Sequence, residues 1–358
     1  MKGIPMRHCV PWLPRLALLA GLIGLPASAI AWDYTPAAIS GLTSLYGYLT
    51  NQNATLERAA AKYPSLRNDI QQVRNAFDRQ YPDALATVTR LFQDIPLPAT
   101  DRARLATKVL EMDREAMQSA LASEPAMQAY LQRVRESAQG DMEKASLQLL
   151  LAAVYEDKPA AELASPMART YTTRGVRQAG AIDLMLRMPL SWERDAAREK
   201  LLPDNAIFAF TSQGGNGLST IDLLARPLPK DGAREGSKEG AKEGGKEGGK
   251  EGSGAVAAAR AAEELKALTG ASAKVIAQGT VRLANHRANW ASFSIASDGG
   301  RLQYGRVWWV PLPEAGQTAV LLCRTPSLAP QAADNERQRL EPLWQAVAAT
   351  LSSATPAR

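Results

Sequence analysis

Histidine and cysteine are scarce: each occurs twice in 358 residues, as His8, His286, Cys9 and Cys323. Acids are missing from the first 31 residues, which carry Lys2, Arg7 and Arg15. Uncharged apolar runs are short. The stretch Leu16 to Leu25 ends at Pro26, well below the roughly 20 residues that a membrane-spanning helix needs. A basic start, a short apolar centre and small residues at Ala27-Ser28-Ala29 and Ala29-Ile30-Ala31 predict a cleavable export signal over residues 1–31. Cleavage is expected after Ala29 or Ala31, giving a periplasmic or secreted chain. No cysteine follows the apolar run, so no lipid anchor and no membrane anchor are expected after cleavage.

Each shortage excludes something. Removing residues 1–31 lowers the net charge from +6 to +3, too little and too dispersed for a nucleic-acid partner. Cys323 would then be the one cysteine, which excludes an internal disulfide, and His286 the one histidine. One of each cannot build a usual zinc site. No D-x-D-x-D-G run marks a calcium loop. No metal and no cofactor are expected.

What is present divides in two. Residues 32–168 read as a helical domain, rich in alanine and poor in β-branched residues. Tyr63, Leu66, Ile70, Val73 and Phe77 recur at steps of three and four, which places them on one helix face. Pro64 opens that helix and Tyr81-Pro82 closes it. A further helix follows Thr100-Asp101, with Leu105, Val109, Met117 and Leu121 as its stripe, is interrupted at Glu124-Pro125, and resumes with Met127, Leu131 and Val134. Met142 to Val154 is another helix.

Residues 169–354 read differently. Strand-length runs at 182–186, 207–211, 220–225, 272–283, 288–297, 302–311 and 318–325 are separated by turn-forming residues, among them Gly214-Gly215-Asn216-Gly217 and Asp298-Gly299-Gly300. Helices are predicted over 255–268 and at the C-terminus, with Leu340, Leu343, Val347 and Leu351 on one face and Asp334 as cap. Successive hairpins with two helices imply an α+β domain on a mainly antiparallel sheet. Between the run at 220–225 and the helix at 255–268 lies an insertion at 230–254. Its repeat EGSKEGAKEGGKEGGKEG, residues 235–252, is too rich in glycine and too poor in apolar residues to fold.

Residues 180–352 resemble the Mog1/PsbP-like family. The likeness rests on IDLMLRMPLSWER (182–194) with its Pro189-x-x-Trp192, on AIFAFTS and STIDLLARPL, and on the later hairpins and final helix. The whole chain also resembles an uncharacterised class of bacterial exported proteins, through LYGYLTNQNATLERAAAKYPSL (45–66) and TRGVRQAGAIDLMLRMPLSW (173–192). The resemblance implies an α+β fold, an N-terminal helical domain followed by a sheet flanked by helices. It also implies a noncatalytic module that binds or assembles other proteins. No active site is carried over by it.

Candidate chemistry is thin. His286 sits where a turn between two strands is expected, Cys323 within the apolar run AVLLCRT, and Gln213 to Gly217 lacks the Gly-Lys-Ser/Thr of a phosphate loop. The acid pairs Glu111/Asp113 and Glu263/Glu264 lie on predicted helices, where neighbouring residues point apart. The aromatic residues hold more interest. Trp308 and Trp309 must face opposite sides of their strand. If helices cover both faces, both are core. If one face is open, Tyr304, Arg306 and Trp308 form an aromatic-basic stripe suited to a partner. The expected function is therefore binding or assembly of a protein partner in the cell envelope. The alternatives are a small-molecule carrier or sensor and, further off, an enzyme of unrecognised type.

Overall fold

The computed structural model describes residues 32–112, 114–203, 205–228 and 261–353. Ala29, Ala31 and the rest of the predicted signal lie outside these residues, as does the Lys-Glu-Gly insertion.

The first part is helical, as its periodicity implies. Helix α1 (Pro36–Lys62) starts where Thr35 Oγ1 accepts from the Ala38 amide at 3.1 Å and proline occupies the first turn. It buries Leu42, Leu45, Leu49 and Leu56. A 3-10 turn over Pro64–Leu66 leads into α2 (Arg67–Gln80), which buries Ile70, Val73 and Phe77 and stops at Tyr81. Then come α3 (Ala84–Gln93), α4 (Ala99–Met112), α5 (Arg114–Ala120), α6 (Glu124–Ala138) and α7 (Lys144–Val154). Ser123 caps α6 and Pro125 sits in its first turn, so the break foreseen at Glu124-Pro125 is a helix start. α1 packs against α2, α3, α4, α5 and α7. At Gly41 the approach to α7 is so close that a Cβ would lie 2.2 Å from Leu149 Cδ1.

The second part begins with α8 (Pro159–Ala164) and a small antiparallel sheet. Its order is β1-β2-β10, formed by β1 (Ala168–Thr172), β2 (Leu184–Pro189) and β10 (Ser352–Ser353). After β3 (Glu193–Arg194), α9 (Ala196–Glu199), β4 (Ala206–Thr211) and β5 (Thr220–Pro227), residues 261–269 form helix α10. A meander follows: β6 (Ala273–Leu283), β7 (His286–Ser297), β8 (Arg301–Leu312) and β9 (Gln317–Arg324). Helix α11 (Pro330–Ala349) follows and leads into β10. Among the described residues the large sheet has seven strands in the order β3-β4-β5-β9-β8-β7-β6, with every neighbouring pair antiparallel. The chain leaves β5, returns at the far edge as β6, and meanders back until β9 pairs with β5.

Alternation along the strands sorts side chains onto two faces. Leu321, Cys323, Trp308 and Val310 join Leu340, Leu343, Trp344 and Val347 of α11 in one core, and Leu163 of α8 belongs to the same cluster. Val320, Leu322, Val307 and Phe293 form the other core with Leu265 of α10. The helical part has its own core around Leu42, Tyr81, Met127 and Leu150.

Two local expectations change. The run at 182–186 becomes a strand only from Leu184, and it pairs in the small sheet instead of the large one. Asp334 does not cap α11: Pro330 already occupies its first turn behind Ala329. Proline fixes a helical φ and needs no hydrogen-bond acceptor there. Asp334 is left on the helix surface, paired with Arg337 at 2.9 Å.

Candidate functional site

The densest cluster of buried polar groups lies where the helical part meets the sheet part. The segment before α1 is wedged into it. Trp32 is only 4% exposed. Asp33 Oδ2 accepts from the Leu218 amide at 2.8 Å. The Gln213 side-chain amide donates to Asp33 O at 3.0 Å and accepts from Asp33 N at 2.8 Å. Thr35, besides capping α1, donates to Asn216 O at 2.7 Å. Of these four consecutive residues, Asp33 and Thr35 thus bind the turn between β4 and β5.

From the sheet side come α8 and α11. Glu162 on α8 accepts from the Ser191 amide at 2.8 Å and from Ser191 Oγ at 2.5 Å. Burial pushes its carboxyl up to about 7, against the ionising effect of those two hydrogen bonds. On α11, Arg339 donates to both Glu336 oxygens at 2.8 and 2.6 Å and to Glu156 O at 2.9 Å. Glu336 also accepts from Ser219 Oγ at 3.2 Å. The Glu156 carboxylate pairs with Arg90 on α3. Burial raises Asp33 to about 6; Glu336 adds to the rise, while the Leu218 amide and Arg339 oppose it.

Glu156, Glu162, Gln213 and Arg339 line a cleft of about 30 Å³ together with Trp32, Ser191 and Ser212. Trp32 Nε1 and Ser212 Oγ have no hydrogen-bond partner among the described residues. A water occupies about 10–15 Å³ on such a measure, so the cleft has room for a water or two and not for a metabolite. Chemically, the Glu162–Ser191 pair can take up and release a proton near neutrality. A larger groove, about 400 Å³, lies between α2 and α6, lined by Gln72, Val73, Arg79 and Arg135 among others.

The residues singled out by sequence lie elsewhere. Trp308 is 3% exposed and Arg306 8%, both under α11, while Tyr304 is half-buried. The Arg306 guanidinium sits 4.0 Å from the Trp290 ring centre and 5.2 Å from that of Trp308, and pairs with Glu341 at 2.6 Å. Arg337 lies over Tyr304 at 5.4 Å. The aromatic-basic stripe therefore exists, but α11 covers it, and it cements helix to sheet instead of lying open. Trp309, on the opposite face, is half-buried and packs into the core beneath α10.

His286 starts β7 and lies 3.4 Å from Glu314, far from the junction cluster in the chain and bonded to none of it. Cys323 is fully buried, which raises its thiol pKa well above the ordinary value. Glu111 and Glu263 are exposed. No group of three or more metal-ligating side chains occurs among the described residues. Sequence reading also passed over Asp222, 1% exposed on β5, which accepts from Arg198 at 2.6 Å and Arg324 at 3.0 Å.

The sequence matches no protein-family model and no curated protein. Solved structures are similar to about half of it. PsbP of Synechocystis sp. PCC 6803 is 10% identical, covers 53% of this chain and 94% of its own, and has a TM-score of 0.35. The Ran-binding protein Mog1p of Saccharomyces cerevisiae is 13% identical, with coverages of 52% and 95% and a TM-score of 0.34. A Pseudomonas aeruginosa protein of unknown function is 13% identical, with coverages of 49% and 92% and a TM-score of 0.24. These likenesses extend over about half of the chain, at identities and scores that transfer no role.

Proposed function

We propose that this chain is a noncatalytic exported protein of the periplasm that binds a partner protein or helps it assemble. One observation carries the reading. The cleft where buried polar groups converge admits only water, and the charged side chains that line it already have partners: Glu162 is held by Ser191, Glu156 by Arg90, and Arg339 by Glu336 and the Glu156 carbonyl. What the molecule offers to other molecules is then its outer surface. No helix among the described residues is long and apolar enough to cross a membrane, which is compatible with a partner met in the aqueous envelope.

Crosslinking a tagged copy in intact cells, followed by mass spectrometry of the envelope fraction, tests this. One reproducible protein partner is expected. Recovery of the chain alone, folded and abundant, counts against it. A second reading, carriage of an anionic small molecule, draws on the groove that Arg79 and Arg135 line. It requires a ligand that raises the melting temperature by mass action and loses its effect in Arg79→Ala.

A further inference from the structure

The groove between α2 and α6 measures about 400 Å³, inside the roughly 300–1,000 Å³ range of ligand sites. Its floor is apolar, with Val73 1% and Ala138 8% exposed. Its rim carries hydrogen-bond donors: Gln72, Arg79 and Gln80 from α2, Arg135 from α6, and Gln139 at the end of α6. No acid lines it. Among the described residues none of these five rim side chains makes a hydrogen bond. Arg135 approaches Asp69 no closer than 4.0 Å, beyond hydrogen-bond reach, and Arg79 has no ion pair among the described residues.

An arginine in the last turn of a helix ordinarily serves its carbonyl end. Arg79 and Arg135 do occupy the last turns of α2 and α6. Yet Phe77 O accepts from the Tyr81 amide, and Arg135 O, Glu136 O and Ser137 O accept from the Gln139 amide. Neither guanidinium is bonded to a carbonyl, so both are left with donors to spare beside an apolar floor.

Shape and chemistry then select an occupant. From Gln72 to Gln80 the helix rises about 12 Å, the length of three or four extended residues at about 3.3 Å each. An inorganic anion would use the guanidiniums alone. A peptide end uses the whole groove: guanidinium for carboxylate, glutamine amides for peptide groups, which both donate and accept, and the floor for an apolar side chain.

We propose that the α2–α6 groove binds the free C-terminus of a partner protein, its carboxylate on Arg79 and Arg135 and its last apolar side chain on Val73, Ala76 and Ala138. The assignment rests on the partner-binding reading and narrows it to one groove.

The test titrates the purified chain with synthetic peptides of about four residues, ending in valine, leucine, phenylalanine or glycine. Each is made with a free and with an amidated C-terminus. Expected are binding of at least one apolar-ended free acid, amide-exchange protection confined to α2 and α6, and loss of both on amidation. The glycine-ended peptide should bind more weakly. Arg79→Gln and Arg135→Gln should each weaken binding roughly tenfold, as removal of a hydrogen bond to a charged group does, and leave the unfolding midpoint in denaturant unchanged. Equal binding of acid and amide overturns the proposal, as does equal binding of the glycine-ended peptide. So does inorganic phosphate binding as tightly as the peptides, which would mean a small-anion site, or no binding by any peptide at millimolar concentration. A partner caught in cells whose crosslinks lie away from α2 and α6 sinks the groove assignment while sparing the partner-binding reading.

Discussion

At the scale of single residues, Glu162 and Asp33 set how stability responds to pH. Both carboxyls are raised, to about 7 and about 6, chiefly by burial. In the unfolded chain they titrate near 4.5 and 3.8, so the folded state holds their protons to higher pH. Their contribution to stability is then greatest below the unfolded values and falls as pH rises towards 7. Unfolding in denaturant at several pH values should show a loss of order 3 kcal/mol attributable to Glu162 between about pH 5 and 8. Glu162→Gln should flatten that slope, and an unchanged slope would mean that the carboxyl is not buried as described. Gly305 is the second sensitive residue. A Cβ there would lie 2.3 Å from Phe293 Cζ and 2.7 Å from Cys323 O. Gly305→Ala should therefore destabilise by about 1–3 kcal/mol, and Phe293→Leu in the same chain should recover part of that loss.

At the scale of elements, the sheet–helix interface makes Trp308 the informative probe. Trp308→Ala empties a site between β8 and α11 and should cost about 3–5 kcal/mol in equilibrium unfolding; a change under about 1 kcal/mol would place the ring on the surface. Thr35 tests the join between the two parts, because its hydroxyl both caps α1 and donates to Asn216 O. Thr35→Ala should lose about 1–2 kcal/mol and speed amide exchange in the β4–β5 turn, and Thr35→Ser should restore both. Much of this scale was legible in sequence. The spacing of Leu66, Ile70, Val73 and Phe77 gives α2, and alternation places Trp308 and Trp309 on opposite faces. The covering of the Tyr304–Arg306–Trp308 stripe was not legible, since it depends on where α11 lands. Nor was the junction: Glu162, Glu336 and Arg339 look like ordinary helix-surface charges until the segment at Trp32–Thr35 and the turn at 212–219 close over them.

At the scale of the whole molecule, a helical part and an α+β part are tied by buried polar contacts, with a covered aromatic stripe inside and a basic groove outside. The tie uses Asp33, Thr35, Gln213 and Asn216 directly, so the two parts should unfold together in the parent chain. Surface binding is the task proposed for it. Its most direct test is the native mass of the endogenous chain in gently solubilised envelope, with the co-migrating proteins identified and counted. A species heavier than one chain, holding a second protein in fixed ratio, is the expected result. A species of one chain alone, or of several copies of this chain and nothing else, would contradict a role in binding or assembling a partner.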